Sequence, residues 1–157
     1  MKKLIFFTLV LSLVQGETII VDQFGNGDYL TIQEGIYAAA SYDTVLVMPG
    51  TYIESITITS SDQNIYLTGI NAASVQIWNS DHCFNIDFAN NVTIANFTIT
   101  SSSSSGIHID ASVTNNFNII NNIITDCSSF GIHIQNSGDL IEISNNIIKD
   151  NGWSGLY

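Results

Sequence analysis

The chain contains no arginine, and its three basic residues are Lys2, Lys3 and Lys149. Against 14 acids this leaves a formal net charge of −11 at pH 7. A surface this acidic repels nucleic acid and anionic membranes, which disfavours both as partners. It also repels a polyanionic sugar unless a cation bridges the two. Charge of either sign is scarce, at 11% of residues. Hydrophobic residues make up 45%, so the chain is not a disordered acidic tail. After the first residues no apolar stretch reaches the roughly 18 to 20 positions of a membrane-spanning helix. Cysteine is limited to Cys83 and Cys127. Export would permit a disulfide between them, but two cysteines alone define no framework.

What is present begins with an export signal. Lys2 and Lys3 form a basic start, residues 4–14 are an apolar run, and Val14-Gln15-Gly16 places small residues around a cleavage point. This is the pattern of a bacterial-type secretory signal peptide over residues 1–16, with a mature chain from Glu17. Its destination is the medium, the cell surface or the periplasm. No Cys stands at the cleavage point, which argues against a lipid anchor. Without the signal, 14 acids face one lysine, a net of −13. The length suits one domain.

Self-similarity organises the rest. Gly106-Ile107-His108-Ile109 recurs as Gly131-Ile132-His133-Ile134 and, cut short, as Gly155-Leu156-Tyr157. Ile119-Ile120-Asn121-Asn122-Ile123-Ile124 recurs as Ile143-Ser144-Asn145-Asn146-Ile147-Ile148, and the offsets are 25 and 24 residues. Within each unit apolar and polar residues alternate, which is the strand period. Three short strands fit in each unit, and three columns can be threaded through the chain. Column A takes 45–47, 75–77, 97–99, 122–124 and 146–148. Column B takes 56–58, 84–86, 107–109, 132–134 and 156–157. Column C takes 65–67, 92–94, 117–119 and 141–143.

Strands this short bury nothing alone. Bent into coils and stacked, each column becomes a parallel sheet and the inward residues merge into one core. Scarce charge fits this, because like charges stacked in a ladder repel. The expected fold is all-β: a right-handed, single-stranded parallel β-helix of about four coils with three strands per coil. Asparagines mark the bends. Asn96, Asn121 and Asn145 share one position, Asn122 and Asn146 the next, and their amides are expected to form a structural ladder. Asn91-Val92-Thr93 and Asn96-Phe97-Thr98 match the glycosylation sequon, which the bacterial-type signal sets aside.

Residues 17–44 read as an N-terminal strand and a capping α-helix, and 45–157 as the coils. Thr31-Ile32-Gln33-Glu34 is a capping box, followed by Ile36, Ala39 and Ala40 on the face of Ile32. A helix here would cover the first coil, whose open edges otherwise invite polymerisation. Tyr157 falls within a repeat, so the array is expected to continue past it.

Tyr29-Leu30-Thr31-Ile32-Gln33-Glu34-Gly35-Ile36, then Asp43-Thr44-Val45-Leu46-Val47-Met48-Pro49-Gly50-Thr51-Tyr52-Ile53-Glu54, resembles the N-terminal signature of the pectin-lyase-like right-handed β-helix superfamily. The resemblance covers residues 19–157 and implies the fold, but not an activity. Polysaccharide lyases, pectinesterases and periplasmic NosD-like proteins share it. Pectate-type lyases use a basic residue with acid-bound calcium, yet this chain offers only Lys149. No paired Asp with Arg and Gln, as in pectinesterases, is visible. The N-T-D, D-D and G-H-G runs of polygalacturonase-type hydrolases are absent, and paired carboxylates are the minimum for that chemistry.

One outward surface stands apart. Column B presents Thr57, Asn85, His108, His133 and Tyr157 as one ladder, with Asp87, Asp110 and Gln135 two residues on. Coils lie about 4.8 Å apart, so His108, His133, Asp87 and Asp110 form a compact patch. Two imidazoles beside carboxylates have the donors for a transition metal, and paired Asp those for calcium. The plainer reading is a solvated polar ladder, with no cofactor. His82 lies near a turn and has no assigned role. Cys83 and Cys127 fall two coils apart, about 9.6 Å along the axis, beyond disulfide reach. Leu46, Ile123 and Ile147 of column A face outward as an apolar strip. Three functions follow. The first is a non-catalytic exported module associated with a polysaccharide or cell surface. The second is the N-terminal part of a polysaccharide-degrading enzyme whose catalytic coils lie further on. The third is a periplasmic metal-binding protein using His108 and His133.

Overall fold

The computed structural model describes residues 16–101, 103–110, 116–135 and 140–157. Apart from Gly16, the expected signal peptide lies outside the described residues. Strand β1 (Thr18–Val21) and helix α1 (Ile32–Ala38) come first. The first coil is β2 (Thr44–Val47), β3 (Gly50–Ile53) and β4 (Ile56–Ile58). The second is β5 (Tyr66–Gly69), β6 (Val75–Asn79) and β7 (Phe84–Ile86). The third is β8 (Thr93–Ala95), β9 (Thr98–Ser101) and β10 (Ile107–Ile109). The fourth is β11 (Phe117–Ile120), β12 (Ile123–Thr125) and β13 (Phe130–Ile134). The fifth is β14 (Ile141–Ser144), β15 (Ile147–Lys149) and β16 (Ser154–Leu156). Every pairing is parallel, and the chain forms a right-handed parallel β-helix.

The columns need two corrections. There are five coils rather than about four. The segment 45–47 belongs to column C, not column A: β2 pairs with β5, and column C runs β1-β2-β5-β8-β11-β14. Column A starts instead at β3, which pairs with β6. The run Val45-Leu46-Val47 alternates as any column would, so periodicity alone could not place it. Strand β3 sends only Tyr52 inward, behind Pro49-Gly50, and so reads as a turn. Leu46 moves with β2 into column C, where it is half-buried between Ile20 and Thr68. The apolar strip on column A reduces to neighbouring Ile123 and Ile147, the second 55% exposed.

Like stacks on like through the core. Column C lines up Val45, Leu67, Ile94 and Ile119, and column A lines up Tyr52, Ile77, Ile99 and Ile124. Column B lines up Ile56 with Phe84, Ile107 and Ile132. All of these are buried. The bends carry left-handed asparagines. Asn96, Asn121 and Asn145 have φ of 62°, 57° and 56°. Their neighbours carry the amide ladder: Asn146 Oδ1 accepts from Asn122 Nδ2 (3.2 Å) and N (2.9 Å), and Asn122 Oδ1 accepts from Phe97 N (3.0 Å). Such side chains satisfy the strand-end amides that a bend would leave unpaired.

At the N-terminal end every open edge is covered. Strand β1 pairs with β2 and closes column C. In column B, Gln33 imitates a strand: its Nε2 donates to Thr57 O (3.1 Å) and its Oε1 accepts from Thr57 N (2.7 Å). Gln23 does the same for β3 once its amide oxygen and nitrogen are exchanged, which brings the nitrogen to Thr51 O (3.0 Å) and the oxygen to Thr51 N (3.2 Å). The capping box of α1 is formed, and Glu54 accepts from the amides of Ile32 (3.0 Å) and Gln33 (3.1 Å). The helix is shorter than expected. Ala39 is its C-cap and Ala40 is exposed, so Ile32, Gly35 and Ile36 form the buried face. Gly35 is required there, since a Cβ would fall 2.6 Å from Val21 Cγ2.

Replacing Gln33 with Ala strips β4 of both edge bonds. The expected loss is about 1 kcal/mol by urea unfolding, with concentration-dependent self-association by light scattering, because the bare edge can pair with another chain.

Candidate functional site

The outward face of column B holds the candidate site. Register sets His108 opposite His133 and Asn85 opposite His108. Parallel stacking then brings the rings into contact. The His108 and His133 centroids are 4.9 Å apart, and their Nδ1 atoms 3.1 Å. His82, unassigned from sequence, lies against His108 with centroids 4.5 Å apart and planes at 19°. Its Nδ1 accepts from Ser105 N at 3.2 Å.

The row continues beyond the imidazoles. Phe130 lies 4.8 Å from His133, 4.8 Å from Tyr157 in a stacked contact, and 5.4 Å edge-on to Trp153. Tyr157 also packs against His133. The result is a strip of rings from His82 to Trp153. Trp153 is 76% and Tyr157 70% exposed. Sequence threading missed Phe130, Trp153 and the role of His82 because it followed strand positions, while these rings lie at or before the strand starts. The available signal was the rings of His82 and Phe130, each two places ahead of a buried strand residue, Phe84 and Ile132, with Trp153 one place earlier in the last coil because Phe130 aligns with Ser154.

Protons in the strip are constrained. Gln135 Nε2 lies 3.2 Å from His133 Nε2. An amide nitrogen only donates, so with this amide orientation the His133 proton sits on Nδ1 and His108 Nδ1 accepts it. Burial, then the neighbouring His82 and His133, hold His108 below the ordinary histidine pKa, while Asp110 and Asp81 pull the other way.

The carboxylates sit beside the imidazole row at the strand ends. Asp87 and Asp110 directly follow β7 and β10, where their N–H groups bond Ile58 O (2.9 Å) and Ile86 O (3.1 Å). Among the described residues neither forms an ion pair with His108 or His133. Asp87 Oδ1 is shielded from solvent without a hydrogen-bond partner. Among the described residues no three His, Cys, Asp or Glu side chains converge on a point that could hold a metal ion. Cys83 and Cys127 are free, buried thiols. Burial, then the Cys127 thiol, push Cys83 up to about 12, which removes it from thiolate chemistry.

A family model described as a right handed beta helix region matches residues 14–157, and the chain belongs to that family. No curated protein and no solved structure matches it.

The depressed His108 couples the strip to pH. An unfolded chain binds that proton near pH 6.5, while the folded chain resists it. The site's stabilisation is complete above about pH 6.5 and is lost as pH falls through the lowered folded value. The melting temperature should therefore fall between pH 7.5 and 5, and fall less in His108→Asn; equal slopes would remove His108 as a cause.

Proposed function

We propose that this chain is an exported, non-catalytic β-helix module that associates with a polysaccharide or cell-surface component through the ring strip of column B. The observation that carries this reading is the continuous row His108, His133, Tyr157, Phe130 and Trp153, with Tyr157 and Trp153 largely exposed. Trp153 and Tyr157, the most exposed rings of the strip, offer apolar surface to the C–H faces of sugars, while the imidazoles and Gln135 offer polar edges to hydroxyls. Register fixes His108 and His133 on adjacent strands, so little ordering entropy is lost there on binding. Export is supported by the basic start and short apolar run of the first 16 residues. The acidic surface favours a neutral polymer over a polyanion.

Affinity electrophoresis through gels cast with neutral polysaccharides tests this. Retardation of the wild type is expected, and Trp153→Ala with Tyr157→Ala should weaken it about tenfold, at roughly 0.5–1.5 kcal/mol per ring. Retardation unchanged by the double substitution would contradict the reading.

A further inference from the structure

The bends before column C show a substitution that the fold does not need. Register sets Thr44 opposite Tyr66 and Tyr66 opposite Thr93, so the residues two places earlier align as Tyr42, Asn64 and Asn91, and Asn116 follows in the fourth coil. All four are left-handed, with φ of 77°, 57°, 52° and 49°. Asparagine suits this backbone, and here it also links coils. Asn116 Nδ2 donates to Asn91 Oδ1 (3.0 Å), Asn91 Nδ2 to Asn64 Oδ1 (2.8 Å), and Asn64 Nδ2 to Ser41 Oγ (3.3 Å). In the first coil the position is a tyrosine. A bulky residue at positive φ is an outlier, and such strain clusters at functional positions. Its turn, closed by Asp43 N to Ala40 O (3.1 Å), would take Asn or Gly without that strain.

Tyr42 lines an open depression of about 460 Å³ with Tyr66, Asn64, Asn91, Thr93 and Asp43. The two tyrosines are 64% and 40% exposed. The amides below them keep further donor and acceptor capacity beyond the ladder bonds. Asp43 is held by the backbone: its oxygens accept from Glu17 N (2.7 Å) and Ala40 N (2.8 Å). Among the described residues no basic side chain lines the depression. A ligand here meets aromatic faces, neutral amides and a buried negative charge. That combination fits an uncharged, hydroxyl-rich ring and disfavours an anion.

We infer that this depression, at the bend before column C, is a second glycan subsite that takes a pyranose of a neutral oligosaccharide, with Tyr42 and Tyr66 as its stacking residues. The inference rests on the reading that the chain binds polysaccharide, but it concerns different residues in different coils. Its size accommodates one or two sugar rings.

Calorimetry of the full chain with cellohexaose, xylohexaose and mannohexaose, and with hexagalacturonate as the anionic comparison, tests it. At least one neutral probe should bind, more tightly than hexagalacturonate. Tyr42→Asn should weaken that binding tenfold or more while raising Tm by roughly 2–4 °C, because it relieves the turn and extends the amide ladder. Tyr66→Ala should weaken binding similarly with the fold retained. Unchanged affinity in both variants, no neutral probe bound, or hexagalacturonate bound equally well would each overturn the inference. If Trp153→Ala abolishes binding and the tyrosine variants do not, the column B strip stands and this subsite falls. If only the tyrosine variants weaken it, the subsite stands and the strip falls.

Discussion

Parallel pairing in register, coil upon coil, is the constraint from which the rest of this structure follows. Each coil lies about 4.8 Å above the last, and a residue at one position sits on the residue at the same position one coil down. Ile77 therefore stacks on Ile99 and Ile99 on Ile124. Asparagine stacks on asparagine at the bends, where amides satisfy amides. Charge is thinned for the same reason, since a carboxylate repeated each coil would face its own copy. The ring strip of column B is that rule applied to side chains on the outward face.

A structure built by repetition has trouble only where repetition stops. At the N-terminal end three different devices present a strand-like edge: a real strand for β2, the Gln23 amide for β3 and the Gln33 amide for β4. Helix α1 then covers the core beneath Ile32 and Ile36. In the first coil Tyr42 breaks the asparagine column. Where a repeat is broken at a cost, the exception points to use. The same reasoning applies to the strip: Asn85 gives way to His108 and His133 along one ladder, and the added rings gather there.

Much of the fold could be read in the sequence, because period 2 within strands and 24 to 25 residues between units are both set by geometry. The ladder of Thr57, Asn85, His108 and His133 followed from counting alone. What counting missed had no alternation to carry it. Strand β3 has one inward residue, and Val45-Leu46-Val47 fits two columns equally well. His82, Phe130 and Trp153 enter the site from bends, where a side chain's direction depends on backbone angles that periodicity does not encode. Asp87 and Asp110 lie just past the ends of β7 and β10, where i, i+2 spacing on a strand no longer fixes the direction of a side chain.

The most direct test is of register itself, by oxidative cross-linking on the outward face of column A. Thr98 pairs with Ile123 across adjacent coils, at a separation a disulfide can span. Cys at 98 and 123 should cross-link readily under mild oxidation, while Cys at 98 and 125 should not, both native cysteines being buried. Equal cross-linking, or a preference for the second pair, would contradict an in-register stack and the ring strip that depends on it.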